Sequence, residues 1–311
     1  MFEAIDAAIT DQLWTDETPP DEAMRWAWER FCQKVKHASR FVFLSTAEES
    51  SGHPDEFTTT EILAKLEDIV VTHDLLQNVP AGRKFWRGRM VDDPSKIGEY
   101  KNASGLGSPP KGVASNNRMS PAGISMFYGS DDIDTVVAEI AAHDIRRYAI
   151  VGEFETVQET TLLDLANLPL IPSCYTEASP GARYYELVFL HRFARDLGKT
   201  VKLDGREHIE YVPTQVVTEY LRYIPTFKVD GILFRSAQNN GVNCVLFCDP
   251  DCCVDFDAPS RRPCESTPYL RLQPNTVQWV GVATRAVVGD DLAEHSSPSF
   301  DNCHVILTRL I

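Results

Sequence analysis

Three residues with chemically useful side chains lie at regular intervals between positions 117 and 140: Arg118, Tyr128 and Glu139. The forked guanidinium of an arginine matches the oxygens of a phosphate group. A carboxylate can stabilise positive charge that develops on a substrate, and a phenol ring can pack against a flat one. On residue type alone, the acid is more often a solvated helix charge, and the phenol is as often a core ring as a ligand platform. The elements around them therefore matter.

The local pattern predicts a turn, a strand and a helix. Residues 121–123 (PAG) break the backbone, and the apolar run 124–128 predicts a short buried strand that ends at the aromatic ring. Ser130 or Asp131 is the predicted N-cap of the helix that follows. Apolar residues in that helix recur at the spacing of one buried face, and Glu139 lies off this stripe. One cleft could thus hold both the ring and the carboxylate.

The spacing of ten and then eleven residues from Arg118 to Tyr128 to Glu139 carries a family resemblance. The stretch 117–140 (NRMSPAGISMFYGSDDIDTVVAEI) resembles the first block of the RES domain, a family named for an arginine, a glutamate and a serine. The resemblance covers about residues 84–256, and its motifs fall in the family's order.

Two further stretches extend the resemblance. Residues 210–247 are similar to the family's second block, in which Ser236 follows a predicted strand and takes the place of the family's serine. On residue type alone, such a serine is usually a turn residue. The stretch 85–89 (FWRGR) resembles the opening strand, whose arginine is assigned to Arg87, with Arg89 as the second candidate.

The resemblance implies a fold and a substrate. The fold expected is α+β, an ADP-ribosyltransferase-like RES domain with a mixed β-sheet core, preceded by an all-α N-terminal region. The substrate implied is NAD, with no cofactor beyond it and with inorganic phosphate as a co-substrate in one form of the reaction. Because nicotinamide leaves as a neutral molecule, the barrier lies in forming a sugar cation.

Each site residue has an expected role within this resemblance. Glu139 stabilises the sugar cation electrostatically. Arg87 and Arg118, with Arg89 as the alternative, hold the pyrophosphate or an attacking phosphate. Tyr128 stacks on nicotinamide or packs the ribose. Ser236 hydrogen-bonds the nicotinamide end.

The sequence does not identify the group that accepts the ADP-ribosyl unit of NAD. Phosphate would make the protein an NAD phosphorylase, water an NAD glycohydrolase, and a protein side chain a mono-ADP-ribosyltransferase. NAD destruction implies a toxin or defence effector that an antitoxin or regulatory protein restrains. A non-catalytic interaction module that keeps the RES fold is the rival class. The oligomeric state is open, a homodimer included.

Composition limits the partners. The 311 residues include 30 basic and 45 acidic side chains, for a formal net charge of -15. Such a surface repels phosphate backbones, so we expect no nucleic-acid binding. No apolar run approaches the ~18 residues of a membrane span, and Glu3 and Asp6 follow Met1 where a signal peptide would be basic and then apolar. We expect a cytoplasmic protein with no membrane contact.

The pattern predicts a helical region over residues 1–80 and a RES domain over 81–311, with its C-terminal strands in 257–311. Arg30 and His37 in the helical region resemble the arginine-and-histidine motif of HEPN-class helical ribonucleases, which makes an RNA-cutting domain a second rival. Two such residues at helical spacing also arise by chance.

The cysteines and a long loop complete the picture. Five of the eight cysteines lie between positions 244 and 264, but without a CxxC pair, so we predict no metal site and reduced thiols. Residues 90–116 are predicted to form a mobile flap over the cleft, with Lys101 and Lys111 near a phosphate or simply solvated.

Strands are predicted at 148–157, 232–234, 242–247, 277–288 and 304–310, helices at 2–13, 21–35, 58–76, 182–197 and 215–223, and a turn or short helix at 161–170.

Overall fold

Amphipathic segments and apolar, β-branched runs follow one another along this chain and form an α+β fold. The computed structural model describes residues 18–42, 57–142, 144–173, 181–199, 205–258, 269–284 and 305–306. The chain divides into two compact units, Met1–Ile69 with Pro169–Arg192 and Val70–Leu168 with Phe193–Ile311.

The helices of the described residues are α1 (Pro20–His37), α2 (Thr59–Thr72), α3 (Ala103–Leu106), α4 (Ile133–Ala141), α5 (Ala182–Gly198), α6 (Glu207–Glu210) and α7 (Val212–Tyr223). Their strands are β1 (Leu76–Val79), β2 (Lys84–Val91), β3 (Phe127–Ser130), β4 (Tyr148–Thr156), β5 (Thr160–Asp164), β6 (Gly231–Arg235), β7 (Val242–Leu246), β8 (Cys253–Val254), β9 (Leu270–Leu272), β10 (Gln278–Gly281), β11 (Ala283–Thr284) and β12 (Val305–Ile306). Single 3₁₀ segments cover Pro94–Tyr100, Lys111–Val113 and Pro250–Cys252.

Helix α1 belongs to the first unit and buries one apolar stripe, as its three-and-four spacing predicts. Near its first turn, Asp21 and Glu22 form ion pairs with Arg192, which lies in the same unit. The predicted helix at 21–35 is confirmed. The one predicted at 2–13 lies outside the described residues.

The second unit is built on one sheet in the order β1-β5-β6-β7-β3-β2-β4-β9-β8, and β10 pairs with β4. The pairs β5–β6 and β8–β9 are parallel, and the others are antiparallel. The predicted mixed sheet is therefore confirmed. Antiparallel β2 and β4 pair over eight residues each and form its longest ladder.

Strands β1 and β5 form the far edge of this sheet. The prediction of a turn or short helix at 161–170 is wrong at its start, because Thr160–Asp164 pairs with β1 on one side and β6 on the other. The helix predicted over 58–76 ends at Thr72, and Leu76 begins β1. The sheet thus includes residues 76–79, which precede the predicted domain boundary at residue 80.

Apolar layers cover both faces of the sheet. One layer groups Phe85, Phe127, Phe154 and Leu246 with Leu106 of α3. The opposite layer packs residues of α4 against Met90, Ala149 and Val151. Helix α4 therefore lies on one face of the sheet, and its C-terminal turn meets the interior strands β2 and β7.

The strand predicted at 124–128 is displaced. Strand β3 runs over Phe127–Ser130, so Tyr128 is its second residue and not its last. The displacement follows from pairing, because Phe127 lies opposite Leu246, where β7 ends. The helix that follows is capped by Asp132, not by Ser130 or Asp131, and its carboxylate accepts a hydrogen bond from Thr135 N.

The long segment 90–116 is not structureless. It contains two 3₁₀ turns and helix α3, whose Leu106 is fully buried in the core. Lys111 forms an ion pair with Asp249 at 3.1 Å, whereas Lys101 is exposed. The segment carries its own local hydrogen bonds and core anchor, which a loop of undefined structure lacks.

The remaining predictions agree closely with the structure. The helices predicted at 182–197 and 215–223 are α5 and α7, and the strands predicted at 148–157, 232–234 and 242–247 are β4, β6 and β7. The strand predicted at 277–288 is divided into β10 and β11, and its last residues are not described. Of the strand predicted at 304–310, only β12 is described.

Candidate active site

A cleft of about 250 Å³ opens where β2 and β3 separate. The two strands share one register pair, Trp86 with Ser130, and residues of both strands line the cleft beyond it. Its wall also contains residues of the segment 109–117 and of α4, including Glu139. Concave sites of this kind at a break in a sheet are where ligands bind most often.

Glu139 lies at the C-terminal end of α4 and lines the cleft. Its Oε1 accepts two hydrogen bonds, from Ser236 Oγ at 2.5 Å and from Asn243 Nδ2 at 2.8 Å. Its Oε2 has no hydrogen-bond partner among the described residues. One carboxylate oxygen is thus held by the protein, and the other is available to a substrate.

Ser236 is buried just beyond the end of β6. The turn that follows reverses the chain into β7, and Asn240 takes a positive φ of 61° in it. Gly241 of this turn touches α4, because a Cβ there would lie 2.0 Å from Thr135 Oγ1. The close approach brings the turn against the helix that carries Glu139, and this explains how a serine so distant in sequence reaches its carboxylate.

Asn243 was missed in the sequence. It lies in β7, lines the cleft and is 4% exposed. Its Oδ1 accepts a hydrogen bond from Ser130 Oγ at 2.6 Å, so its amide links β3 to Glu139. A detectable signal exists: an amide inside the apolar run 242–247 must be hydrogen-bonded when it is buried.

Tyr128 lines the cleft. Its hydroxyl is already engaged, with Ser120 Oγ at 2.9 Å and with the backbone N–H of Met119 at 3.3 Å. Burial raises the pKa of Tyr128 to about 12, so the phenol is neutral at physiological pH. The hydroxyl therefore holds the turn next to Arg118.

Arg118 lies near the other site residues but not in the wall of the cleft. Its Nη1 donates hydrogen bonds to the carbonyls of Leu197, at 2.8 Å, and Lys199, and its guanidinium is 5.9 Å from the ring centre of Tyr211. Burial lowers the pKa of Arg118, and the charge of Glu139 is among the groups that oppose this change. The charge of Arg118 therefore interacts electrostatically with Glu139, and its hydrogen bonds hold the chain at the end of α5.

Arg87 and Arg89 lie on the same side of β2, and both residues line the cleft. Arg87 is buried and donates to the carbonyls of Leu106 at 2.8 Å and Tyr128 at 2.6 Å. Burial, followed by the charge of Arg89, lowers the pKa of Arg87 to about 10, so its guanidinium stays charged at neutral pH. It joins the two walls of the cleft across the gap between β2 and β3.

Arg89 makes fewer contacts. Its Nη2 donates to the Gly107 carbonyl at 3.3 Å, and its Nε is buried without a hydrogen-bond partner in the described part of the chain. Burial lowers the pKa of Arg89 as well. No carboxylate among the described residues pairs with either Arg87 or Arg89. Two adjacent guanidinium groups without an acidic partner leave uncompensated positive charge at this part of the cleft.

Three buried cysteines belong to the core layer that contains Phe85 and Phe127: Cys248, Cys252 and Cys253. The Sγ atoms of Cys248 and Cys253 are 3.7 Å apart. Within the described residues, no group of histidine, cysteine, aspartate or glutamate side chains has an arrangement that could hold a metal ion. Cys264 lies outside them.

The pair Arg30 and His37 is exposed on α1, with Arg30 donating a hydrogen bond to the Phe57 carbonyl at 2.8 Å. Seven residues apart, the two side chains lie near one face of the helix. In the described parts of the chain, no helix combines the length and the apolar character that a membrane crossing requires.

Two family models match parts of this chain. Residues 1–49 match the family described as HEPN/RES N-terminal domain 1. No curated protein and no solved structure matches the chain. Residues 84–268, more than half of the chain, match the RES domain. They include all six predicted site residues, and the chain therefore belongs to the RES domain family, with a HEPN-like N-terminal region.

Proposed function

We propose that this RES protein cleaves the bond between nicotinamide and ribose in NAD, by phosphorolysis or by hydrolysis. The observation that carries the proposal is the state of Glu139, whose Oε1 is fixed by two donors while Oε2 is left for a ligand. A carboxylate held in this way is suited to a reaction in which positive charge develops nearby.

Cleavage of the nicotinamide–ribose bond needs little catalysis beyond the negative charge of Glu139. Nicotinamide is bonded to ribose as a positively charged ring and leaves as a neutral one, so no acid has to protonate it. The transition state resembles an oxocarbenium ion, whose charge Glu139 stabilises. Losing an electrostatic contribution of this kind typically costs ~2.7 to 4 kcal/mol of barrier, or about 100- to 1,000-fold in rate.

The two arginines of β2 suit the phosphate end of the substrate. Arg89 has an unused buried donor and no acidic partner among the described residues, and Arg87 adds a second positive charge beside it. We assign the pyrophosphate, or an attacking inorganic phosphate, to Arg89 first. The role of Arg87 is chiefly to hold the cleft in shape, because its Nε and Nη1 already bind carbonyls.

The other predicted site residues act closer to the sugar. Tyr128 lines the cleft, and its ring packs against nicotinamide or ribose. Ser236 acts through Glu139, to which its hydroxyl is bonded. Arg118 contributes positive potential from outside the wall and braces the turn that Tyr128 contacts.

The proposed activity is harmful to the cell that contains it. We therefore propose a toxin or defence effector controlled by a protein partner or by the HEPN-like region. Because β1 belongs to the sheet, the informative truncation removes residues 1–58 and keeps α2 and β1. Unchanged NAD turnover and toxicity without residues 1–58 would place the control elsewhere.

Nicotinamide release tests the reaction. The full chain is incubated with NAD, with and without inorganic phosphate, and the product is identified by mass spectrometry. Phosphate-dependent release with a phosphorylated ADP-ribose identifies a phosphorylase, and free ADP-ribose identifies a glycohydrolase. Glu139→Gln should lose about 100-fold or more, whereas Asp134→Asn, an exposed acid on the same helix, should not. Full activity in Glu139→Gln would contradict the proposal.

Two alternatives can be weighed against particular contacts. A mono-ADP-ribosyltransferase would use the same cleft, and in the assay it would label a protein instead of releasing free ADP-ribose. A non-catalytic module would be favoured if Glu139 were turned away and paired with a structural arginine such as Arg146. Arg146 instead pairs with Asp144, and Glu139 lines the cleft, which supports an enzyme.

A further inference from the structure

Asn243 occupies a position where an amide is costly. It is 4% exposed in a strand whose neighbours Cys244, Val245 and Leu246 are apolar and buried. Burying an amide away from water is unfavourable unless both its donor and its acceptor find hydrogen-bond partners. The orientation of the Asn243 amide therefore depends on the side chains that form hydrogen bonds with it.

Two contacts define the orientation of this amide. Ser130 lies directly opposite Asn243 in the β3–β7 ladder, and its Oγ donates to Oδ1 at 2.6 Å. Nδ2 must then point the other way, to Glu139 Oε1 at 2.8 Å. The reverse orientation would place Oδ1 against a carboxylate oxygen, and neither atom carries a proton to share. The Glu139 carboxylate thus selects the orientation in which Asn243 is a donor, and Ser130 satisfies the amide oxygen on the other side.

We infer that Asn243, held in place by Ser130, is a positioning residue that holds the Glu139 carboxylate for catalysis. This inference rests on the proposed function. A single donor would let the carboxylate turn about its last bond. Asn243 from β7 and Ser236 from the end of β6 converge on the same oxygen, which prevents that rotation and keeps Oε2 toward the substrate.

Kinetics of two Asn243 variants test the inference. Asn243→Leu keeps the volume and removes the donor, and Asn243→Asp keeps the shape and replaces the donor with an acceptor. Both should lower kcat for nicotinamide release by about 10- to 100-fold and leave the KM for NAD within about 3-fold. Asn78→Leu is the matched control, because Asn78 also lies in a strand but is exposed, bonds Thr161 and does not line the cleft. It should keep the wild-type kcat.

Double-mutant cycles separate positioning from a purely structural role. In a Glu139→Gln background, Asn243→Leu should cost little further activity, because the carboxylate that it positions is gone. Ser130→Ala should lower kcat less than Asn243→Leu does, and should have no further effect when combined with it. This variant also serves if Asn243→Leu does not fold, which circular dichroism and the melting temperature would reveal.

The outcomes are distinct. Additive losses in either cycle, or a folded Asn243→Leu protein with wild-type kcat, would overturn the positioning role and leave the proposed function intact. Wild-type nicotinamide release by Glu139→Gln would instead contradict the proposed function, whatever Asn243 does.

Discussion

Ser236 Oγ and Glu139 Oε1 are 2.5 Å apart, although 97 residues separate them along the chain. This hydrogen bond joins the end of β6 to the end of α4, and so ties the two halves of the RES motif. A hydroxyl bonded to an ionised carboxylate makes a stronger contact than two neutral groups would. The candidate site is therefore a single hydrogen-bonded unit.

Replacing Ser236 should impair turnover more than binding. Ser236→Ala removes one of the two donors on Glu139 Oε1, so kcat for nicotinamide release should fall about 10-fold with little change in the KM for NAD. Steady-state kinetics measure both constants. Ser104→Ala, an exposed serine, is the control. A rise in KM alone would show that Ser236 contacts the substrate instead.

Arg89 should govern binding of the anionic part of the substrate. Arg89→Gln should raise the KM for NAD, or for phosphate, by about 10-fold or more, because the unused guanidinium donor is lost. The dependence of KM on salt concentration should also become weaker. Arg146→Gln, which removes an exposed arginine that pairs with Asp144, should change neither quantity. Equal constants for the Arg89 variant and wild type would argue against an anion site here.

Arg87 should matter most for stability. Arg87→Met leaves the carbonyls of Leu106 and Tyr128 without their donor in a buried site. We expect the free energy of unfolding to fall by about 2 to 4 kcal/mol. Urea denaturation of this variant and of Arg89→Gln provides the comparison, and the second should lose much less. Equal unfolding midpoints for Arg87→Met and Arg89→Gln would show that Arg87 does not hold the cleft in shape.

Gly241 should tolerate no side chain. Gly241→Ala places a Cβ 2.0 Å from Thr135 Oγ1 and pushes the turn away from α4. Overpacking of this kind costs about 1 to 3 kcal/mol, and here it should also lower kcat by displacing Ser236 from Glu139. Thr135→Ala in the same chain should recover part of both losses. Thermal unfolding and nicotinamide release measure them, and purely additive effects would argue against a steric cause.

Tyr128 should contribute to alkaline sensitivity. Burial raises the pKa of Tyr128 to about 12, above the value of about 10 in an unfolded chain. The unfolded state therefore loses its proton first, so the stabilisation is complete below pH ~10 and is lost as the pH rises toward 12. Tyr128→Phe should lose less stability between pH 9 and 11 than wild type does in urea denaturation. The exposed Tyr223→Phe should follow wild type. Identical pH dependence in all three would contradict this assignment.

Part of this fold could be recognised in the residues alone. The spacing of Arg118, Tyr128 and Glu139 and the later Ser236 identified the RES domain. Three-and-four apolar spacing placed helices α1, α4 and α5, because burial of one helix face depends on local periodicity. The assigned roles of the site residues are a different matter, and they stay predictions.

Tertiary structure decided which of those residues share a wall. Strand β3 begins where β7 offers a partner, and strand β5 exists because β1 and β6 flank it. Local patterns do not contain such pairings. Asn243 shows the same limit, since its amide acquires a role only when Ser130 and Glu139 approach from other elements. Hydrogen bonds between distant segments depend on packing in three dimensions, and sequence spacing carries no record of them.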